Sequence, residues 1–188
     1  GPVRRGNAAY KQVQHDCYGQ IVLPSAQGFF DNRLLRPNDE RDFENLEQVG
    51  KMAWAMHDQP DAGLWEFRTR QEVHTYSAVM SWAACDRLAN VAAHIGKDER
   101  AQVWRERAEA IAATIEEKAW KENGAGDLGG GHYGASFESD YLDASLLQMV
   151  ELRFLSPDNE RFQQTFAAVE EVDAFLQGPC RPGGLRRA

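Results

Sequence analysis

Cysteine is scarce in this 188-residue chain. Cys17, Cys85 and Cys180 are an odd set with no CxxC spacing, so neither a disulfide framework nor a zinc site is indicated. Long apolar runs are missing too: nothing approaches the roughly 20 consecutive apolar residues needed to span a bilayer. The first residues, GPVRRGN, show no charged leader followed by an apolar stretch, and a reducing, cytoplasmic setting is the expectation. Positive charge is in deficit, with 21 basic against 29 acidic side chains and a net charge of −8. An acidic chain offers no attraction to nucleic acid or to an anionic membrane surface. A neutral or cationic small partner fits better.

Several common chemical signatures are absent as well. The run GGGHYG is followed by no Lys-Ser or Lys-Thr, so it reads as a connection between helices and not as a phosphate loop. His74, Ser77 and Asp86 could suggest a hydrolytic triad, but Ser77 has no GxSxG elbow and all three lie on or beside one predicted helix. His15, His57, His94 and His132 are scattered without metal-ligand spacing.

Strand alternation is also lacking. What remains is helical period, with apolar residues recurring at three and four. It predicts an all-α chain with six helices near 8–22, 40–57, 74–94, 98–120, 139–153 and 158–177. Pro24 is expected to end or kink the first. The third carries Tyr76, Val79, Met80, Ala83, Ala84, Leu88, Val91 and Ala92 among many small residues, as an enclosed inner helix should. The fourth has one narrow stripe, Trp104, Ala108, Ile111 and Ile115, opposite a charged face. That is the pattern of an outer, half-solvated helix. The length suits a single domain or part of a larger one. Residues 1–177 are assigned to it, and the Gly-, Pro- and Arg-rich 178–188 to a loose tail.

Between the second and third helices stands PDAGLWEF, residues 60–67, where an aromatic and a carboxylate adjoin at a turn. Read alone, this is equally a helix-start corner with an anchoring Trp. Taken in order with GNAAYKQVQHDCYGQ, HTYSAVMSWAACDRLA, LDASLL and RFQQT, it resembles the catalytic domain of the glucoamylase-like glycoside hydrolases, family 15. The likeness runs from Gly1 to about Leu176.

The resemblance implies a partial (α/α)6 toroid of inner and outer helices. It also implies an inverting hydrolase of α-linked glucosides that uses neither metal nor organic cofactor. By the match to the family's G-[IL]-W-E segment, Glu66 is the general acid and Trp65 lines the subsite of the sugar ring. Arg68, Tyr18 and Asp16 are the further substrate-binding candidates. If 8–22 is helical, Gln12 shares a face with Asp16, and Gln14 with Tyr18. The chemistry is consistent with these roles: a glycosidic oxygen leaves only if an acid protonates it, and apolar cover from a neighbour such as Trp65 raises a carboxyl's pKa for that task. An inverting enzyme also needs a base roughly 6.5–9.5 Å from the acid, and in this family that Glu lies beyond the last matched helix. A truncated catalytic domain, inactive alone and self-associating through uncovered inner helices around Ala83 and Leu146, is therefore expected. Ala78 stands where some members carry Lys, which leaves a cationic contact there without a donor. The rival expectation is a non-catalytic helical-hairpin scaffold.

Overall fold

The computed structural model describes residues 6, 11–31, 33, 36, 38–67, 69–122 and 130–176, with the main chain alone for 172–176. Arg68 and the expected tail at 178–188 lie outside the described residues.

The order is α1 (Asp16–Gln27), α2 (Glu40–Met56), α3 (Thr75–His94), α4 (Asp98–Lys118), β1 (Trp120–Lys121), β2 (His132–Tyr133), a 3₁₀ turn (Ala144–Leu147), α5 (Gln148–Glu151) and α6 (Glu160–Leu176). Among the described residues the two short strands form the only sheet, an antiparallel pair with Trp120 opposite Tyr133. The chain is all-α in class, as the periodicity predicts.

Helix α3 is the centre. It is buried on nearly every side, with Ala78, Ala83, Ala84 and Leu88 at 0% exposure, and it packs against α1, α2 and α4. Small side chains let those neighbours come close. At Gly19 of α1 an added Cβ would lie 2.4 Å from the carbonyl oxygen of Met80, so only glycine allows the two inner helices to touch there. The outer helices read as expected: the α4 stripe of Trp104, Ala108, Ile111 and Ile115 is buried. Between the two outer helices, the buried carboxylate of Glu47 accepts from Trp104 Nε1 at 2.7 Å and pairs with Arg100. Helix α2 begins in a reciprocal capping box between Asp39 and Asp42, which satisfies main-chain donors its first turn leaves open.

Three expectations need correction, and the sixth helix shows a buried face of its own. The first helix spans Asp16–Gln27 and not 8–22, with Pro24 inside it. Burial of Val22 and Ala26 against α3 carries the helix one turn past the proline, despite a cost of about 3 kcal/mol for proline in a helix interior. The predicted helix 139–153 is only the 3₁₀ turn and α5, because the segment before it is held elsewhere: Ser136 bridges to His74, and Ala135 N donates to Tyr141 O at 2.8 Å. Arg153, in the left-handed region at φ 63°, marks its end. In α6 the buried face is Phe162, Thr165 and Ala168, while Phe166 is exposed; the hydroxyl of Thr165 is turned inward to accept from Tyr133 N at 3.0 Å. Finally, Ala83 and Leu146 are buried, at 0% and 1%. The exposed large apolar residues include Val13, Ile21, Met52, Val103 and Phe166, so self-association would have to use those positions.

Gly19→Ala is expected to destabilise the protein by about 1–3 kcal/mol, the usual cost of forcing extra volume into a packed contact. A urea titration should show a lower midpoint at unchanged slope.

Candidate active site

The PDAGLWEF corner lies in the connection between α2 and α3, and its shape is fixed by main-chain bonds. Asp61 N donates to Glu72 O at 2.9 Å, and Glu72 N returns to Asp61 O at 3.3 Å, closing a loop over 61–72. Within it Glu66 N reaches Gly63 O at 3.1 Å and Phe67 N reaches Ala62 O at 2.9 Å. Gly63 has φ 66°, and a Cβ there would meet the His74 ring at 2.6 Å, so glycine is required twice over. Glu66 also lies in the left-handed region, at φ 54°. For a residue with a side chain that costs on the order of 1 kcal/mol, and such outliers persist where surrounding contacts over-determine them.

Those contacts come from the residues just before α1. Val13 O accepts from Ala62 N at 2.8 Å, Gln14 Nε2 donates to Gly63 O at 3.2 Å, and Gln12 Nε2 donates to Glu66 O at 2.7 Å. Gln12 and Gln14 therefore precede the helix instead of sharing faces with Asp16 and Tyr18. Lying outside the helix, the two glutamines both reach the corner, where a helical turn would set residues two apart on different faces.

Beneath the corner is a buried polar cluster. Asp61 is fully buried, and its Oδ2 accepts from His15 N and from Ser77 Oγ, each at 2.8 Å. One carboxylate thus joins the corner to the N-terminal ends of α1 and α3. Ser77, the would-be nucleophile, is an anchor, and Asp86 is paired with Arg87 and Arg105; no triad forms. Asp16 is 1% exposed, with Oδ2 taking Gln20 Nε2 at 2.6 Å. Burial, and then the charge of Asp61, raises its pKa. A carboxylate so enclosed is not open to a sugar, and Asp16 belongs to the wall behind the site. Tyr18 is half-buried, stacked on His15 with ring centres 6.2 Å apart.

The opposite wall is the 130–143 segment. Thr75 N donates to Ala135 O at 2.9 Å and Thr75 Oγ1 to Gly134 O at 2.6 Å. Trp65 is 59% exposed, yet its Nε1 donates to Asp143 Oδ2 at 2.6 Å. The Arg70 guanidinium lies 4.0 Å from the ring centre of Phe67 and 4.5 Å from that of Tyr141, and also donates to the Tyr141 hydroxyl at 2.8 Å. Glu66 is exposed, and its carboxylate makes no ion pair among the described residues. The apolar cover expected from Trp65 is not provided: the indole is itself in solvent, held sideways by Asp143. Sequence reasoning missed Asp61, Arg70, Tyr141 and Asp143. PDAG and LDASLL each carry an Asp that marks a contact, but nothing in their spacing says the two segments meet.

Residues 1–178 match the model of glycosyl hydrolases family 15, and the chain belongs to that family. It is 37% identical over 174 residues to a trehalase of Mycobacterium tuberculosis, covering 90% of this chain and 24% of the relative. It is 31% identical over 183 residues to a trehalase of Thermoplasma volcanium, covering 93% and 27%. Among solved structures it resembles a bacterial glucoamylase complexed with acarbose, with TM-score 0.62 and 16% identity over 85% of this chain and 25% of that one. The fold is therefore a partial (α/α)6 toroid, and the chain spans about a quarter of the length of the relatives it matches.

The raised pKa of Asp16 gives a pH prediction. A carboxyl that binds its proton more tightly when folded contributes stability below its ordinary value of 3.8, and that stability is lost as pH rises through the folded value. Asp16→Asn keeps an acceptor for Gln20 without the buried charge. Thermal melts should show the variant more stable than the parent at neutral pH, with the gap closing as the pH falls through the raised folded value and gone once it is below 3.8.

Proposed function

We propose that this chain is the acid-bearing segment of an inverting glycoside hydrolase that acts on α-linked glucosides. The observation that carries this is the corner itself: adjacent Trp65 and Glu66, in a strained turn strapped to the N-terminal ends of two inner helices, in a chain of family 15. Strain held in place by so many main-chain bonds is what a functional turn requires.

In this reading Glu66 gives its proton to the glycosidic oxygen as the bond to the anomeric carbon breaks, and takes up a proton again in the next cycle. Trp65 offers an apolar face to the C–H face of a pyranose, Tyr18 lines the adjacent wall, and Arg68 donates to sugar hydroxyls. The N-terminal ends of α1 and α3 meet the corner through Asp61, which accepts from His15 N and Ser77 Oγ and so holds Trp65 and Glu66 in place relative to both helices. The base that activates water, the apolar cover over Glu66 and the outer subsites come from parts of a complete family member that this chain does not supply. No metal or organic cofactor is needed for this chemistry.

Trehalose is the first substrate to test, because the relatives named trehalases are 31–37% identical and the glucoamylase 16%. The rival, a helical-hairpin scaffold, gives no reason for a carboxylate and an exposed indole at one strained corner.

Alone, the chain is expected to turn over α-glucosides negligibly, since general-base assistance is typically worth about 10²–10⁴ in rate. Steady-state assays on trehalose, maltose and isomaltose, each with a Glu66→Gln control, check this. Robust turnover abolished by that substitution would show that a base is present after all. Calorimetric titration with acarbose tests the sugar site separately: no heat at millimolar ligand from folded protein would sink the reading.

A further inference from the structure

We infer that Asp143 is a positioning residue that sets the angle of the Trp65 indole and so aims the sugar platform; this rests on the reading of Trp65 given above. An indole that is 59% exposed has little packing to hold it, and both its side-chain torsions would otherwise be free. Here a carboxylate 78 residues away accepts its N–H at 2.6 Å. A hydrogen bond to an ionised acceptor is among the stronger kinds and is directional. It fixes the ring by its polar edge, and among the described residues no aromatic ring or cation stacks on either face.

Asp143 is itself anchored. Its other oxygen accepts from Ser145 N at 2.7 Å, capping the 3₁₀ turn Ala144–Leu147. That turn runs into α5, whose Met149, with Leu146 before it, is in the core at 1% exposure. One oxygen therefore holds the carboxylate to the protein and the other holds the ring. Two residues earlier, Tyr141 is joined through Arg70 to Phe67. The 141–143 segment thus grips the corner on both sides of Glu66, with Phe67 after it and Trp65 before it. Fixing Trp65 matters because an aromatic ordered in advance does not lose that freedom when a sugar arrives.

The bond could instead serve only the fold. Asp143→Ser separates the two roles, because serine still caps the turn but is too short to reach the indole. The first measurement is the indole N–H resonance of Trp65 in the ¹⁵N-labelled chain, assigned by its loss in Trp65→Phe. In the parent it should be shifted downfield and slow to exchange; in Asp143→Ser it should move to the position of a solvated indole, with the melting temperature little changed. The second is the affinity for acarbose, followed by the same resonances. Asp143→Ser should weaken it roughly two- to tenfold, the worth of ordering one side chain, and Trp65→Ala should weaken it more.

A parent indole resonance that matches free tryptophan overturns the inference. So does a pinned indole whose release leaves affinity unchanged while Trp65→Ala abolishes binding, and in that case the platform reading survives. Failure of the parent to bind, or binding indifferent to Trp65→Ala, removes the platform and this inference with it.

Discussion

The buried carboxylate of Asp61 is the interaction on which the site depends. It lies inside the protein and makes no ion pair among the described residues, and its Oδ2 accepts from the main-chain N–H of His15 and the hydroxyl of Ser77. Leaving a buried charge short of partners costs several kcal/mol, so the arrangement holds only while α1, α3 and the corner meet at one point. The corner cannot drift without exposing or orphaning this group. Its neighbour Asp16 feels that charge directly. The N-terminal ends of two helices are thereby fixed relative to the turn that carries Glu66.

Much of the fold was legible because it rests on composition. The enclosure of α3 follows from its run of small and apolar residues, and the buried stripe of α4 from spacing alone. The misreadings share a cause: local pattern gave way to long-range contacts. Residues 11–14 have nothing against helix, but their main-chain and amide groups are claimed by a corner some fifty residues on. Pro24 does not end the helix, because Val22 and Ala26 are buried on either side of it. The turn at 144–151 is short because the segment before it is committed to pairing beside Thr75.

The corner was legible in its residues and illegible in its supports. A Trp-Glu pair in a turn can be seen in a sequence; that its indole is tethered to Asp143 cannot, since the two are separated by 78 positions and by two whole helices. Asp16 illustrates the opposite error. A carboxylate in a matching motif invites a role at the substrate, but burial makes it part of the wall.

The left-handed backbone at Glu66 bears on how this segment came to have its sequence. Its φ of 54° is one that glycine adopts without penalty and that other residues adopt reluctantly. Folding alone would favour a glycine there, as it does three residues earlier at Gly63. A carboxylate at such a position is a standing conflict between what the chain would choose for stability and what its side chain is for. The same backbone constraint that makes Glu66 costly also makes it hard to move: with its carbonyl tied to Gln12 and its amide to Gly63, the Cα of Glu66 is held on both sides, and the side-chain torsions are what remains to adjust the reach of its carboxylate.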